Sequence, residues 1–215
     1  MKRIIFVSTG RCGTTRLAEI LSETFKNKDI TVTHQMPYSR IANVYGNINY
    51  HFFNIEAVKS FLFSRITNKF SKKKIFITTD PLLSMIIPKK IYMNKETLII
   101  HIYRDPSSFA ESIFKFSRKK RNSFIAHNFI PFWQPYLFPL ENKFNPNIKT
   151  KYKKIARLKK EHFHNTFSIS PNYYEIKMNS IFNEGSEISK ILSEFLNEKL
   201  HIEHESLKVK SNASG

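Results

Sequence analysis

The chain has 215 residues, 41% of them apolar, so it is long enough for one sizeable core and short for two full domains. No apolar run approaches the roughly eighteen residues of a transmembrane helix. A single cysteine, Cys12, excludes an internal disulfide framework and a cysteine-cluster metal site. The formal net charge of +18 suits a polyanionic partner such as nucleic acid, an anionic membrane surface or a phosphorylated cofactor, but biased codon usage would explain the excess of lysine equally well.

We expect a single domain over residues 1–215. The basic N-terminus is followed by a short apolar run that leads into glycines, so we expect no signal peptide and a cytoplasmic location.

The first predicted elements are a strand, a glycine loop and a helix. Residues 4–7 are all apolar and too few for a helix, which indicates a buried strand. Gly10 and Gly13 break this pattern, and helical spacing of apolar residues then predicts a helix over residues 14–26. In this order the three elements aim backbone N–H groups and the positive end of a helix dipole at an anion such as phosphate.

Strand and helix patterns alternate along the rest of the chain. Further strands are predicted at residues 29–33, 75–79, 97–103 and 173–176. Helices are predicted at residues 55–70, at 151–167 and at 186–196, with an interrupted helix at 82–92 and another that starts near Pro106, capped by Asp105 or Ser107. Residues 38–54 are predicted to be mostly loop with some helix, and residues 115–152 to be irregular. The alternation predicts an α/β fold of three layers, with a central parallel sheet flanked by helices.

Polar residues follow four of the predicted strands directly. They are residues 10–15, His34, Asp80 and Arg104. Because ligands of doubly wound sheets bind beyond the carboxyl ends of the strands, we expect these residues to share one site. His101 lies inside its strand and is interpreted as a core or sheet-face residue.

The glycine loop differs from the loop of enzymes that bind nucleoside triphosphates, G-x-x-x-x-G-K-[ST]. With Gly13 on the second glycine, Ser8 stands at the first glycine and Thr14 at the lysine, and only Thr15 fits the magnesium-binding position. The cation of this loop is instead Arg11. The loop therefore suits an anion, but a triphosphate enzyme would lack the charge that the lysine supplies.

Two motifs resemble sulfotransferases that use 3′-phosphoadenosine 5′-phosphosulfate. The segment Arg11-Cys12-Gly13-Thr14-Thr15, followed by Leu17, resembles the R-S-G-T-T-x-L loop of that family. Arg104-Asp105-Pro106, with Ser112 eight residues after the arginine, resembles the family's second motif. Thr79-Asp80-Pro81 and the stretch from residue 173 to 196 also resemble family segments in the expected order. The resemblance implies a P-loop NTPase-like fold.

The resemblance also implies the binding roles. The loop residues would bind the 5′-phosphosulfate; they are Gly10, Arg11, Cys12, Gly13, Thr14 and Thr15. Arg104 and Ser112 would bind the 3′-phosphate, and Lys210, with Lys208 and Asn212, would supply the cation of a closing loop. No metal is expected, because Arg11, the loop N–H groups and the helix dipole would stabilise the leaving phosphate.

The sequence departs from the family at three places. Cys12 replaces a serine, which keeps the backbone N–H, and Thr79 stands where a lysine is common. Met178-Asn179 replaces the Tyr-Glu of the late turn, which removes the usual tyrosine contact near the adenine.

The catalytic base has two candidates. Related enzymes often use a carboxylate after the second strand, whereas this chain has His34, whose ordinary pKa suits the role. His34 could also be a hydrogen-bonded residue at a strand end. Asp80 is the second candidate, with a helix N-cap as its structural alternative.

Three functions follow from these motifs. The first is transfer of a sulfuryl group to a hydroxyl of a carbohydrate-like acceptor, a saccharide or glycolipid, with peripheral association at an anionic membrane as a further expectation. The aromatic and basic residues 129–136 would then form a sugar platform or ordinary lid packing. The alternatives are a P-loop kinase of small molecules, which the missing loop lysine disfavours, and a basic nucleic-acid-binding protein.

Overall fold

The sheet is the part of the fold that positions the site. The computed structural model describes residues 1–26, 28–70, 73–118, 147–184, 186–200 and 202. The strands are β1 (Lys2–Ser8), β2 (Ile30–Thr33), β3 (Ile75–Thr78), β4 (Thr97–Tyr103) and β5 (Tyr173–Lys177). They pair in parallel in the order β2-β3-β1-β4-β5. The predicted strands and the parallel sheet are confirmed.

Helices connect the strands on both faces of the sheet. They are α1 (Thr14–Thr24), α2 (Ser39–Phe52), α3 (Glu56–Thr67), α4 (Lys89–Tyr92), α5 (Pro106–Arg118), α6 (Ile148–Phe167), α7 (Met178–Glu184) and α8 (Ser186–Leu196). Two 3-10 turns lie at Asn68–Phe70 and Pro81–Leu83.

The core forms two layers, one on each face of the sheet. Ile4 and Phe6 of β1 point to the face that carries α1 and α8, and Ile5 and Val7 point to the face that carries α3 and α6. β4 alternates in the same way. Because β1 and β4 lie in the middle of a sheet covered on both sides, their central residues are mostly apolar, as expected for parallel strands. The predicted three-layer α/β fold, with a central parallel sheet flanked by helices, is confirmed.

Residues 39–52 form a helix, so the prediction of mostly loop there was wrong. The buried face of α2 carries small and polar residues, among them Ala42 and Asn43, whereas Ile41 and Tyr45 are exposed. Gly46 allows the close approach of the helix to its neighbour, since a Cβ at this position would lie 2.4 Å from Ile86 Cγ2. The helical period is present in the sequence, but glycine and asparagine on its inner face conceal it.

Other boundaries also differ from the predictions. The segment at 82–92 contains a 3-10 turn and the short α4, because Pro88 interrupts any longer helix. α6 begins earlier than expected, where the Asn147 side chain accepts a hydrogen bond from Thr150 N at 3.1 Å. Helix α7 was not predicted. Residues 119–146 and 203–215 lie outside the described residues, and with them the aromatic stretch at 129–136 and Lys208, Lys210 and Asn212.

Candidate functional site

The loop between β1 and α1 has an unusual backbone. Gly10 (φ 83°), Arg11 (φ 56°) and Gly13 (φ 72°) all adopt left-handed conformations. Glycine tolerates this region, but for Arg11 it is a strained geometry of the kind that occurs at functional sites. Positive φ angles close together in a turn point neighbouring backbone N–H groups to the same side, which forms a concave site for an anion.

The N-terminus of α1 is open toward this concavity. Its N-cap is Gly13, which has no side chain to cap the helix, and the first turn contains no acidic residue. The first N–H groups of a helix have no partner within the helix, so those of α1 are available for an anion. Gly13 is also required by packing, because a Cβ there would lie 2.4 Å from Phe182 Cε2 of α7.

Hydrogen bonds from buried side chains stabilise the loop. Gly10 N donates to Ser8 Oγ at 3.1 Å, and Ser8 N donates to Ser84 Oγ at 3.3 Å. The Cys12 thiol donates to the Gly10 carbonyl at 3.3 Å. Burial raises the pKa of Cys12 to about 11, so the thiol stays protonated at neutral pH. Cys12 thus has the chemistry of a structural residue and not of a nucleophile.

Two predicted binding residues outside the loop lie against it. Arg104 Nη1 donates to the Arg11 carbonyl at 3.0 Å, and Arg11 Nε donates to Ser112 Oγ at 3.3 Å. The Arg11 guanidinium also lies 4.5 Å from the centre of the Phe116 ring, a cation–π contact. The structure therefore brings Arg11, Arg104 and Ser112 together. Arg104 Nε is buried and has no hydrogen-bond partner among the described residues.

The start of α5 places Ser112 beside the loop. Asp105 Oδ1 accepts hydrogen bonds from Ser107 N at 3.0 Å and Ser108 N at 2.9 Å, so Asp105, and not Ser107, caps the helix. These bonds lower the pKa of Asp105. Ser112 then follows on the same helix as Phe116, and both contact Arg11.

His34 lies at the end of β2 and reaches the loop. Its Nε2 lies 3.0 Å from Thr15 Oγ1, and its Nδ1 lies 3.2 Å from the Thr79 carbonyl oxygen and 3.0 Å from Thr79 Oγ1. A carbonyl oxygen only accepts, so these partners assign the proton of the neutral ring to Nδ1 and the lone pair to Nε2. Burial lowers the pKa of His34, and the negative charge of Asp80 partly opposes this shift.

Asp80 is almost completely buried, and both of its carboxylate oxygens accept backbone hydrogen bonds. Oδ1 accepts from Leu82 N at 3.0 Å, where it caps the 3-10 turn, and Oδ2 accepts from Met36 N at 3.0 Å. Burial raises the pKa of Asp80, and these bonds act in the opposite direction. The side chain thus joins β3 to the segment after β2, and the N-cap alternative describes its geometry.

A family model described as "Sulfotransferase domain" matches residues 1–210. The chain belongs to the sulfotransferase family. Such enzymes transfer a sulfuryl group, and this coarse activity applies to the chain. No curated protein matches the sequence.

Several solved structures are similar to this sulfotransferase at low identity. A sulfotransferase domain from the curacin biosynthetic pathway has 12% identity and a TM-score of 0.47, with 95% of this chain and 75% of that chain covered. A sulfotransferase from Alicyclobacillus acidocaldarius has 10% identity and a TM-score of 0.49, with 96% and 88% covered. A shikimate kinase from Bacteroides thetaiotaomicron also has 10% identity and a TM-score of 0.49, with 91% and 98% covered.

The structure of this sulfotransferase shows one polar residue that the sequence reasoning missed. Lys159 of α6 is fully buried, and its Nζ has no hydrogen-bond partner among the described residues. The sequence pattern predicts the helix but assigns Lys159 no role. The sequence nevertheless contains a signal for its burial. Lys159 lies four residues from Ile155 and four from Phe163, so all three share one face of the helix.

The described part of this sulfotransferase contains no helix with the length and hydropathy needed to cross a membrane. Within the same residues, no three His, Cys, Asp or Glu side chains are grouped so that they could hold a metal ion.

Proposed function

We propose that this sulfotransferase moves a sulfuryl group from 3′-phosphoadenosine 5′-phosphosulfate to a hydroxyl of a carbohydrate-like acceptor, a saccharide or glycolipid. The observation that carries the proposal is a pair of hydrogen bonds between the loop that contains Arg11 and the segment that contains Arg104 and Ser112. Arg104, after β4, donates to the loop that holds the open N-terminus of α1, and Arg11 of that loop donates to Ser112. A nucleotide with separate anionic groups at its 3′ and 5′ positions matches this arrangement.

The residues present fit such a donor. The left-handed backbone at Gly10, Arg11 and Gly13 and the uncapped start of α1 offer N–H donors to the 5′ anion. The buried Arg104 Nε lacks a partner among the described residues, and an unpaired buried donor carries a cost that a ligand oxygen would remove. The 3′-phosphate would supply such an oxygen.

His34 is the proposed base. When bound, the donor supplies an activated sulfuryl group whose leaving group is the nucleotide 5′-phosphate. The acceptor oxygen forms the new bond to sulfur, the bond between sulfur and the phosphate oxygen breaks with its electron pair, and the acceptor proton moves to His34 Nε2. The hydrogen bond of Nδ1 to Thr79 holds the ring so that Nε2 faces Thr15 at the start of α1.

Asp80 is less suited to this step than His34. Both of its oxygens already accept backbone N–H groups, and its side chain is almost completely buried. We therefore assign Asp80 a positioning role: it fixes the segment after β2, where His34 lies, and its charge opposes the lowering of the pKa of His34.

The choice of a carbohydrate-like acceptor has support from exposed side chains that follow His34 in the sequence. Tyr38, the N-cap of α2, is exposed, and so are Ile41 and Tyr45 within the helix. Aromatic faces of this kind suit the apolar faces of sugar rings. A glycolipid acceptor in an anionic membrane would also explain the net charge of +18, because that charge favours association with such a surface.

The test of the donor is a binding experiment without magnesium. Adenosine 3′,5′-bisphosphate should raise the melting temperature of the wild type, and Arg104→Ala should abolish this shift. Arg118→Ala is a matched control, because Arg118 is an exposed arginine at the far end of α5. A shift with ATP and magnesium but none with the bisphosphate would refute the proposed donor and favour a kinase. Turnover is then measured with labelled donor against a panel of saccharides, glycolipids and simple alcohols.

A further inference from the structure

Lys159 is a buried lysine whose amine has no acidic partner among the described residues. It lies on the face of α6 that packs against the sheet, with its Nζ 5.0 Å from the centre of the Phe163 ring. No hydrogen-bond partner for Nζ exists among the described residues. Lysine is almost never fully buried without a partner, so this position calls for a ligand or a reaction that uses the amine.

The packing of α6 shows where Lys159 lies along the sheet. Phe167 contacts Tyr92, which precedes β4, and Phe163 packs edge-to-face on His101 with ring centres 5.5 Å apart. Further upstream, Tyr152, Ile155 and Ala156 pack on α5, which follows the end of β4. The helix therefore runs antiparallel to β4, and its earlier residues lie nearer the carboxyl end of the sheet.

This direction places Lys159 beneath the anion-binding loop. Lys159 precedes Phe163 by four residues, which is about 6 Å along the helix. Phe163 contacts His101, so Lys159 lies at the level of the strand about two residues beyond His101. His101 pairs with Val7 of β1, so two residues further on lies Thr9, where the chain enters the loop. In agreement with this position, the charge of Lys159 affects the pKa of Cys12, which belongs to the loop.

Among the described residues, none of the groups that interact electrostatically with Lys159 supplies a stable negative charge. Burial raises the pKa of Cys12 to about 11, which keeps the thiol neutral. His101 of β4 and His162 of α6 have pKa values lowered by burial to about 4, so both imidazoles are neutral near pH 7. Burial also lowers the pKa of Lys159 itself well below its ordinary value. An incoming anion would supply the missing counter-charge.

We propose that Lys159 contacts the 5′-phosphosulfate of the donor from the sheet side of the loop and stabilises the charge that develops on the leaving phosphate. This inference rests on the proposed function. Two positions where a lysine would be expected lack one in this chain. Thr14 stands where triphosphate enzymes have lysine, and Thr79 stands where related sulfotransferases often have it. Lys159 of α6 would supply the missing amine. Thr79 instead contacts His34 Nδ1.

The experiment compares K159M, K159R and K153M with the wild type. Lys153 lies on the same helix but is exposed, so K153M controls for the loss of one positive charge. The ligands are adenosine 3′,5′-bisphosphate and adenosine 3′-monophosphate, which differ only in the 5′-phosphate, and their affinities are measured by calorimetry. The melting temperature of each free protein is measured in parallel.

The expected result is specific to the 5′ group. K159M should bind the bisphosphate at least about tenfold more weakly than the wild type, because it loses a charged hydrogen bond, and should bind the monophosphate equally well. K159R should recover part of the loss, and K153M should match the wild type. Free K159M should melt no lower than the wild type, since methionine fills a similar volume without burying an amine.

Three outcomes overturn the inference. Wild-type affinity of K159M for the bisphosphate would exclude Lys159 from the 5′ site and leave the donor assignment intact. An equal loss for both nucleotides, with a lower melting temperature of the free protein, would assign Lys159 a structural role. A wild-type protein that binds neither nucleotide would refute the donor itself, and the inference would fail with it.

Discussion

Substitution of Gly13 by alanine tests the geometry of the anion-binding loop. At φ 72° a side chain costs about 1–2 kcal/mol relative to glycine. The new Cβ would also lie 2.4 Å from Cε2 and 2.5 Å from Cζ of Phe182, whose ring packs against the core. Overpacking of this kind costs about 1–3 kcal/mol. We therefore expect Gly13→Ala to lower the free energy of unfolding by about 2–5 kcal/mol.

A double-mutant cycle separates the two causes. Phe182→Leu removes the ring atoms that the new Cβ would meet, so Gly13→Ala should cost less in that background, by about 1 kcal/mol or more. The remaining cost reports the backbone conformation. Free energies of unfolding are measured by urea titration of all four proteins, and binding of adenosine 3′,5′-bisphosphate is measured on those that fold.

Gly46→Ala serves as the matched control for this variant. A Cβ at Gly46 would overlap Ile86, so this substitution also overpacks a glycine contact, but at a position outside the loop. It should lower stability and leave nucleotide affinity at the wild-type level. Equal costs of Gly13→Ala with and without the Phe182 ring would refute the packing argument, and wild-type stability of Gly13→Ala would refute the loop geometry altogether.

Three further predictions concern His34, Asp80 and Cys12. His34→Gln should lower kcat by about 10²–10⁴-fold. Asp80→Asn should lower kcat by much less, measured on the fraction of the protein that folds. The reverse order of the two losses would make Asp80 the base. Burial lowers the pKa of His34, so kcat/KM should be constant near pH 7. It should fall as the pH drops through the lowered pKa, because Nε2 then becomes protonated. A fall that begins above pH 6.5 would contradict this assignment. Iodoacetamide should leave native Cys12 unmodified by mass spectrometry and alkylate it in urea, and rapid labelling of the native protein would contradict its burial and raised pKa.

Local patterns in the sequence determined most of the fold. The largely apolar runs at residues 4–7 and 97–103 lie within β1 and β4, because a strand covered on both faces favours apolar residues on both of its sides. Gly10 and Gly13 marked the loop, since only glycine readily adopts the left-handed backbone found there. Membership of the sulfotransferase family was also readable, since the residues of the loop and of the Arg104 motif lie in the sequence itself.

Helix α2 shows where local patterns were insufficient. Its buried face carries Asn43, Gly46 and Asn47, so hydrophobic spacing predicted a loop. The helix is stable because Gly46 permits a close approach to Ile86, and that approach exists only once the segment after β3 has folded against it.

The tertiary structure also determined the surroundings of the polar residues at the strand ends. The sequence placed His34 and Asp80 at neighbouring strand ends and left the base open, since both side chains have suitable chemistry. The fold occupies both Asp80 oxygens with backbone N–H groups and directs His34 Nε2 to Thr15. It likewise buries Lys159 on the face of α6 that packs against the sheet, where Phe163 of the same face contacts His101 of β4. Sequence spacing determines the face of a helix on which a residue lies, whereas only tertiary packing determines which elements contact that face.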